Sequence, residues 1–597
     1  MGLRRILILL HPESLIHAQP TDLVVTDTWE VLDTAISIGV PCLDLRELLV
    51  GKEDFLDETV IAWRCTIDRA HSPEMQGVPI LASLRAEILW GALSPFARYA
   101  VATQLLAGQG YEIVTDLRHP DPRRVGIEAI LGKDAVIELP GNLDAKSVSR
   151  DVEQEPVLPA SHGPVVVDTT HIDVKRNVRE CLFFSFGKVA TAIFDRLGKN
   201  ISARPVLVYG HYRTLGAIGY ELGKRYRLIL WPWAYPRTKD ALSITARGSH
   251  SASLFQHRNL SAVARPPSIQ QLDSAIQADL GERAFFLEGT NVTPWLSSSI
   301  ARVVVKYWKP LSSRIAAAKT AILQLGAECV LIPNDTSIDF APLSLVATGA
   351  SVPVIVVAHG LEGSQVLGDK RLASDVFVWS LPMAKYIEKV LGRGGTKTWV
   401  TGPPHLEGLA RTRTPKRSAV LFLSYTVRHN TAWDSRLDAE RYLCMLSEVL
   451  QKLGSRICPV GLKIHPSEHS DYYRWAMGRA RLKIPIRDRG WVYDNLDDAS
   501  VVVGPISTGL AEAFHLGSMP VCVNLSGGKL PAPCDGSTEI PVVCDAASLT
   551  DILAKWLDRS VWPNWTPQAW PAFFEFVGVA KGASRRAADA VGQVLRS

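Results

Sequence analysis

A histidine followed by a proline ends one strand-like run of the sequence, "GLKIHPS". Proline confines the residue before it to extended conformations, so Pro466 would hold His465 at the end of the strand. An imidazole held beside a phosphate could donate hydrogen bonds and carry positive charge while the phosphate leaves. A histidine at a strand end is more often only a polar surface residue. We nevertheless expect His465 to be catalytic, and we expect Lys463, His465 and Pro466 to bind the phosphate.

A second strand-like run, about forty residues later, ends in "GPISTG" and leads into a helical segment. Ser507 or Thr508 could cap that helix, and the N–H groups of its first turn would face a bound anion. An ordinary N-cap is the plain alternative, because Ser and Thr are common before helices. Both stretches lie at the same edge of one predicted sheet. We therefore predict a phosphate site that includes Ser507, Thr508, Gly509 and, within the helix, Glu512.

A third run at this edge, "AVLFLSYTVRHN", is followed by hydroxyl and guanidinium groups. Such groups form strong hydrogen bonds to phosphate and carboxylate oxygens. The alternative is a plain exit from the strand into a loop. We expect Ser424, Thr426 and Arg428 to contact a phosphate or a substrate anion.

Acidic residues follow two earlier strand-like runs, "CVLIPND" and "VPVIVVAH". Asp335, Asp339 and Glu362 are the best placed to accept a proton from an acceptor hydroxyl, and we choose Asp335 and Glu362 as catalytic candidates. Each has a common alternative, since most Asp residues at strand ends belong to turns. His359 and Gly360 suggest a close approach of the backbone to a ligand, or a buried histidine bonded to the main chain.

The sequence predicts neither a metal site nor a cofactor. It has no phosphate-binding P-loop pattern, no convincing G-x-G-x-x-G after a strand, and no D-x-D at a strand end. His465 and His469 are four residues apart, but a proline intervenes and no third ligand is obvious. Gly402, in the turn "TGPP", is expected to line a cleft or to be structural.

The composition is that of a globular protein, with 597 residues, 47% hydrophobic and 21% charged. The length predicts three or four domains. A net charge of +5 is mild, and no basic patch accompanies a nucleic-acid reader motif, so we expect no nucleic-acid partner. Nine scattered cysteines without a C-x-x-C pattern indicate reduced thiols in the cytosol.

The start of the chain, "MGLRRILILLHPES", predicts a first β-strand rather than a signal peptide. No apolar run reaches the roughly 18 residues of a membrane-spanning helix. The most apolar segment, Ala86–Gly108, is interrupted by Pro95 and Arg98 and is expected to form a buried helix. We expect a cytoplasmic protein, and peripheral contact with the inner membrane is left open.

Short β-branched runs alternate with helix-length segments almost throughout the chain, among them "RILILL", "TVIAW" and "PVLVYG". Continuous apolar strands separated by helices predict an α/β protein with parallel sheets covered on both faces. The polar stretch near residue 150 and the basic linker near residue 412 predict three blocks, residues 1–150, 165–410 and 411–597. Ligands bind at the carboxyl ends of the strands of such sheets.

The order "VPVIVVAHG", "VTGPP", "VLFLSYTVR", "LKIHP", "GPISTGLAEA" resembles the GT-B glycosyltransferases of bacterial surface polysaccharides. The similar groups are the capsule and lipopolysaccharide sialic acid and Kdo transferases with a His-Pro motif, and the CDP-glycerol glycerophosphotransferases. The resemblance covers roughly residues 329–597. It departs in the Ser/Thr motif, which is "PISTG" rather than "SSS" or "YSS", and in residues 1–150, which have no counterpart.

The resemblance implies a GT-B-like pair of Rossmann-type domains facing each other across a cleft, here with an extra N-terminal α/β block. Residues 165–410 would form the acceptor side, and residues 411–597 would bind the donor nucleotide without a metal ion. It also implies that His465, Ser507 and Thr508 contact the donor phosphate. An acidic residue of the acceptor side would act as the base.

We therefore predict a metal-independent glycosyltransferase that uses a nucleotide-sugar donor, in particular a CMP-linked acidic sugar such as Kdo or sialic acid. The acceptor would be a glycan or a lipid-linked glycan, which the aromatic and basic region Trp231–Pro267 could hold. Three alternatives stay open. They are a CDP-glycerol-type polyol-phosphate transferase, an enzyme like UDP-GlcNAc 2-epimerase, and a non-catalytic protein that binds a glycan or a partner.

Overall fold

The structure is a computed structural model, and apart from isolated residues it describes residues 5–67, 73–107, 111–139, 203–210, 216–231, 250–251, 266–281, 284–358, 372–390, 396–409, 416–425, 436–465, 470–525, 530–557 and 569–597. The chain forms two compact units. The first contains the described residues of the ranges 1–167, 262–312 and 428–437. The second contains the others.

The described strands of the parallel sheets are, in chain order, β1 (Arg5–Ile8), β2 (Leu23–Thr26), β3 (Cys42–Asp44), β4 (Glu112–Thr115), β5 (Val136–Glu138), β6 (Val206–Tyr209), β7 (Arg227–Leu230), β8 (His250–Ser251), β9 (Cys329–Ile332), β10 (Val354–Val357), β11 (Asp375–Val378), β12 (Lys397–Val400), β13 (Lys416–Leu423), β14 (Cys458–Lys463), β15 (Ile486–Arg487), β16 (Ala499–Gly504), β17 (Met519–Val523) and β18 (Val542–Val543). Two short antiparallel hairpins, Glu74–Met75 with Val78–Pro79 and Phe286–Leu287 with Thr290–Asn291, lie outside these sheets.

The described α-helices are α1 (Trp29–Ser37), α2 (Leu45–Leu48), α3 (Glu53–Ile67), α4 (Ile80–Ser83), α5 (Arg85–Ile88), α6 (Ser94–Ala107), α7 (Pro122–Leu131), α8 (Gly216–Leu222), α9 (Ile269–Leu280), α10 (Thr293–Lys319), α11 (Ala341–Gly349), α12 (Leu381–Val390), α13 (Arg436–Leu453), α14 (Ser470–Arg479), α15 (Val492–Asn495), α16 (Thr508–His515), α17 (Ala546–Leu557), α18 (Pro571–Val577) and α19 (Ala583–Val594). None of these helices is long and apolar enough to span a membrane.

Three sheets share one strand order. The first unit contains β3-β2-β1-β4-β5, and the second unit contains β8-β7-β6-β9-β10-β11-β12 and β15-β14-β13-β16-β17-β18. All neighbouring strands in them are parallel. In each sheet the order reverses once, beside the first strand, which is the arrangement of doubly wound Rossmann-type sheets. The central strands are buried on both faces, and this explains why they are almost entirely apolar.

The last helix of the second unit packs back onto the sheet that contains β6. Along α19, Ala587, Ala588, Val591 and Val594 recur at helical spacing and are buried against Leu207 and other residues of that sheet. The chain has by then completed the sheet that contains β13, so α19 ties the two sheets of the second unit together.

The predicted fold class is confirmed, with Rossmann-type parallel sheets as a GT-B-like pair and an extra N-terminal α/β block. Ala86–Gly108 is helical through residue 107, as predicted. The predicted limits near residues 150, 165 and 411 fall outside the described residues and stay predictions. Most of the region Trp231–Pro267 also lies outside them.

One predicted strand was wrong. The run "TVIAW" lies within α3. Its β-branched residues favour a strand, but Leu56, Val60, Trp63 and Ile67 form a stripe at helical spacing and are all buried. Burial of this stripe outweighs the small strand preference of the individual residues.

Candidate functional site

The predicted donor residues lie at the carboxyl edge of the sheet that contains β13. Ser424 follows β13, Lys463 ends β14, and Ser507 lies beyond the end of β16. β13 and β16 are adjacent and flank the point where the strand order reverses. Ligands of doubly wound sheets bind at this switch point.

Neighbouring strand ends are joined there by side-chain hydrogen bonds. The backbone N–H of His465 donates to Ser424 Oγ at 3.2 Å and to Glu468 Oε2 at 2.8 Å. Ser424 Oγ donates to the same Glu468 oxygen at 2.6 Å, and Tyr473 donates to Glu468 Oε1 at 2.7 Å. Glu468 therefore connects the ends of β13 and β14 with α14. Glu468 was not among the predicted site residues, although it stands three residues after His465, the spacing of a capping box.

Lys463 places a buried amine at the end of β14. The residue is only 4% exposed, and its Nζ donates to the carbonyl oxygen of Ile464. Burial lowers the pKa of Lys463, because desolvation disfavours the ammonium form. The nearby carboxylates of Glu468, Asp488 and Asp494 act in the opposite direction. The end of β14 is therefore a low-dielectric place where a cation interacts strongly with an anion.

The amino end of α16 lies close to β13. A Cβ atom on Gly504 would lie 2.6 Å from the Leu423 side chain, and one on Gly509 would lie 2.8 Å from Val492. Ser507 is the N-cap residue, but its side chain makes no capping hydrogen bond. Its Oγ is buried and has no hydrogen-bond partner among the described residues. Ser507 therefore occupies the N-cap position without a side-chain cap, and its hydroxyl is available to a ligand.

Thr508, the first residue of α16, meets the other sheet of the second unit. A Cβ atom on Gly360, just beyond β10, would lie 2.1 Å from Thr508 Oγ1, so only glycine fits at this position. The carboxyl end of β10 therefore lies directly against the amino end of α16. The predicted close backbone approach at Gly360 is made to Thr508.

A second contact joins α16 to that sheet one helical turn later. Glu512 Oε1 lies 3.5 Å from His405 Nε2, and both side chains are almost fully buried. The His405 ring packs on Trp379, whose indole N–H donates to the carbonyl oxygen of Ala358 at 3.0 Å. Glu512 and Thr508 share a face of the helix. His405 was not among the predicted site residues, although it directly follows the turn "TGPP".

His515, at the end of α16, is buried, and burial lowers its pKa to about 4. Its Nε2 lies 3.5 Å from the carbonyl oxygen of Val577. The imidazole is therefore neutral at physiological pH. Among the described residues, no group of three His, Cys, Asp or Glu side chains is placed to hold a metal ion.

The two described acids that were considered as a base have structural partners. Asp335 is buried, and its Oδ2 accepts hydrogen bonds from the backbone N–H groups of Leu372 at 2.6 Å and Ala373 at 3.0 Å. Asp339 pairs with Arg314, with 2.7 Å between the charged atoms. These bonds favour a role for Asp335 in holding the chain before β11, so its assignment as a base has no support from its contacts.

Five predicted site residues lie outside the described residues: His359, Glu362, Thr426, Arg428 and Pro466. Gly402 is described and has a φ of +84°. A Cβ atom there would lie 2.3 Å from the carbonyl oxygen of Val579. Gly402 therefore lets the chain pack closely before α19, in agreement with the structural alternative.

No model of a protein family matches the chain, and no protein with a curated description does. Among solved structures, a protein of Listeria monocytogenes provisionally described as a UDP-N-acetylglucosamine 2-epimerase matches at a TM-score of 0.40 and 12% identity, over 66% of this chain and 96% of that one. The UDP-GlcNAc 2-epimerase of Neisseria meningitidis, bound to UDP-GlcNAc, matches at a TM-score of 0.38 and 10% identity, over 66% of this chain and 100% of that one. A glycosyltransferase from Rickettsia africae matches at a TM-score of 0.36 and 10% identity, over 66% of this chain and 98% of that one. Similarity at this level assigns no function, which has to be argued from the site.

Proposed function

We propose that the protein is a glycosyltransferase that moves a sugar from a nucleotide-activated donor to a hydroxyl group of a glycan, without a metal ion. One observation carries the proposal. Lys463, His465, Ser507 and Thr508 converge at the carboxyl edge of one doubly wound sheet, beside its switch point.

The donor phosphate would bind between β14 and the amino end of α16. The helix end carries partial positive charge and N–H donors, and Lys463 adds a full charge in a buried setting. The buried Ser507 Oγ, which has no partner among the described residues, would donate to a phosphate oxygen. These groups supply the positive potential that a metal ion provides in other sugar-nucleotide enzymes.

Transfer breaks the bond between the anomeric carbon and a phosphate oxygen of the donor. The bonding electrons remain on the phosphate, where His465, Lys463 and the helix end would stabilise the growing negative charge. The acceptor oxygen forms the new bond to the anomeric carbon, and its proton goes to a base. Glu362 is our candidate for this base, because it follows Gly360 by two residues and Gly360 touches Thr508.

We further propose a CMP-linked acidic sugar, such as Kdo or sialic acid, as the donor and a bacterial surface polysaccharide or its lipid-linked precursor as the acceptor. The resemblance of the "KIHP" and "GPISTGLAEA" stretches to the transferases with a His-Pro motif supports this choice.

The test is a binding series with CMP, CDP, UDP and GDP, measured by thermal shift and calorimetry at fixed magnesium-free conditions. We expect CMP to raise the melting temperature and the other three to have smaller effects. A response to CDP instead would favour the polyol-phosphate alternative, and a response to UDP alone would reject a cytidine donor. No response to any nucleotide would reject the proposed function.

A further inference from the structure

Glu468 lies at the centre of the hydrogen bonds that join the strand ends of the site. Its Oε2 accepts from the His465 N–H at 2.8 Å and from Ser424 Oγ at 2.6 Å. Its Oε1 accepts from Tyr473, a buried residue of α14, at 2.7 Å. Its own N–H donates to the His465 carbonyl oxygen at 2.9 Å, so a further hydrogen bond ties Glu468 to the histidine backbone.

The groups that Glu468 holds come from separate elements. Ser424 follows β13, His465 follows β14, and Tyr473 belongs to α14. Beyond the last ladder bond of a parallel sheet, adjacent strand ends are no longer held by regular backbone pairing. A carboxylate that accepts hydrogen bonds from three elements restores that connection, because bonds to a charged acceptor are about twice as strong as neutral ones.

We propose that Glu468 is a positioning residue that fixes His465 and Ser424 in the geometry required to bind the donor phosphate. This inference rests on the proposed function of the site. A negative charge close to a phosphate is unfavourable in itself, so electrostatic attraction to the donor does not explain a carboxylate here. Its three accepted hydrogen bonds give it a geometric role instead.

The test compares two substitutions of Glu468 in the full chain, with CMP, CDP, UDP and GDP as probes. Glu468→Ala removes all three acceptor bonds, and we expect nucleotide affinity to fall about tenfold or more. In Glu468→Gln, the amide oxygen can accept from the His465 N–H and Ser424, and the amide nitrogen can donate to the Tyr473 oxygen. We therefore expect Glu468→Gln to restore affinity to within about threefold of the wild type at neutral pH.

Glu539→Ala is the matched control. Glu539 also accepts two backbone hydrogen bonds, from Ala572 at 3.0 Å and Phe573 at 2.9 Å, but it precedes β18 and so lies away from the carboxyl edge of the sheet. We expect this variant to lose thermal stability and to keep its nucleotide affinity. The two alanine variants together separate loss of stability from loss of positioning.

Each outcome has one meaning. A wild-type protein that binds none of the four nucleotides overturns the proposed function and with it the role of Glu468. A wild type that binds, beside a folded Glu468→Ala variant of equal affinity, overturns the positioning role alone. If the alanine variant does not fold, the test rests on Glu468→Gln, which can keep the hydrogen bonds. Nucleotide affinity reduced tenfold or more in Glu468→Gln would contradict a geometric role.

Discussion

A His-Pro step follows shortly after β1 in the first unit and after β14 in the second. In both places the histidine N–H donates to a carboxylate. His11 donates to Asp116 Oδ2 at 2.9 Å, and His465 donates to Glu468 Oε2 at 2.8 Å. Both sheets are parallel and reverse their strand order beside their first strand. Topology and local sequence therefore make the two sites look alike.

The surroundings of the two histidines differ. Around His11, Asp116 accepts from the N–H of Leu10 at 3.0 Å and from the Ser14 side chain, so its carboxylate holds the start of the 3₁₀ helix Pro12–His17. Around His465, the edge also carries the buried amine of Lys463 and the buried Ser507 Oγ, which has no partner among the described residues. Near His11, the polar groups of the loop are hydrogen-bonded to Asp116. Near His465, Lys463 and Ser507 could still bind an anion. A His-Pro step at a strand end does not by itself define a site.

Replacing the two histidines tests this difference most directly. We expect His465→Ala to reduce sugar transfer about a hundredfold or more, because a donor to the developing phosphate charge is lost. We expect His11→Ala, the matched change in the first unit, to leave the rate within about twofold, because alanine keeps the backbone N–H that donates to Asp116. The measurement is initial rate with the nucleotide donor selected by the binding series, alongside circular dichroism of both variants. Equal losses in the two variants would remove the distinction between the sites.

The position of the candidate site could be predicted from sequence because it depends on a simple rule. Apolar runs of strand length predicted parallel strands, and parallel strands bring their carboxyl ends to one edge. The sequence alone was therefore enough to place four residues at this edge: Ser424, Lys463, His465 and Ser507.

The contacts that organise the site could not be predicted in this way. The bond between Ser424 and Glu468 joins residues 44 apart, and the contact between His405 and Glu512 joins two elements more than a hundred residues apart. Such pairs depend on how loops pack, which periodicity does not encode. The error at "TVIAW" has the same origin, since burial against neighbouring helices decided the conformation of α3.

The contact between Gly360 and Thr508 allows a second comparison between the units. A Cβ atom on Gly360 would overlap Thr508 Oγ1, so Gly360→Ala should displace the first turn of α16, lower the free energy of unfolding by about 1–3 kcal/mol and weaken nucleotide binding about tenfold. Gly126, in α7 of the first unit, is equally confined, with a Cβ position 2.7 Å from the Phe96 carbonyl oxygen. Gly126→Ala should cost similar stability and leave binding unchanged.

A double substitution identifies the cause of the Gly360→Ala effect. Adding Thr508→Ala removes the oxygen that the new methyl group would meet, so the pair should be more stable than Gly360→Ala alone. Chemical denaturation of the four proteins of this cycle gives the coupling. Additive effects would show that the two residues do not meet in solution.

The buried amine of Lys463 predicts that nucleotide affinity falls at alkaline pH. Burial lowers the pKa of Lys463 from the usual 10.5. As the pH rises, the amine should therefore lose its charge, and with it its attraction for a phosphate, before pH 10.5 is reached. Glu468, Asp488 and Asp494 favour the charged form, so Glu468→Gln should move the alkaline loss of nucleotide affinity to lower pH. Dissociation constants between about pH 7 and 10 would show the shift. A Lys463→Met variant should bind the nucleotide more weakly than the wild type, and its affinity should not fall further as the pH rises. A pH profile of nucleotide affinity that is unshifted in Glu468→Gln would exclude coupling between Glu468 and Lys463.

The smallest expected effect concerns Asp116, the counterpart of Glu468 in the first unit. Asp116→Asn keeps one acceptor oxygen, so we expect the free energy of unfolding to fall by about 1 kcal/mol and nucleotide affinity to stay unchanged. Burial raises the pKa of Asp116 above 3.8, so the folded state takes up this proton before the unfolded state as the pH falls. As the pH falls from that raised pKa to 3.8, the free energy of unfolding of the wild type should therefore increase relative to that of the variant. Urea denaturation at neutral and mildly acidic pH measures this difference. A loss of nucleotide affinity in Asp116→Asn would show that the first His-Pro step also serves the ligand.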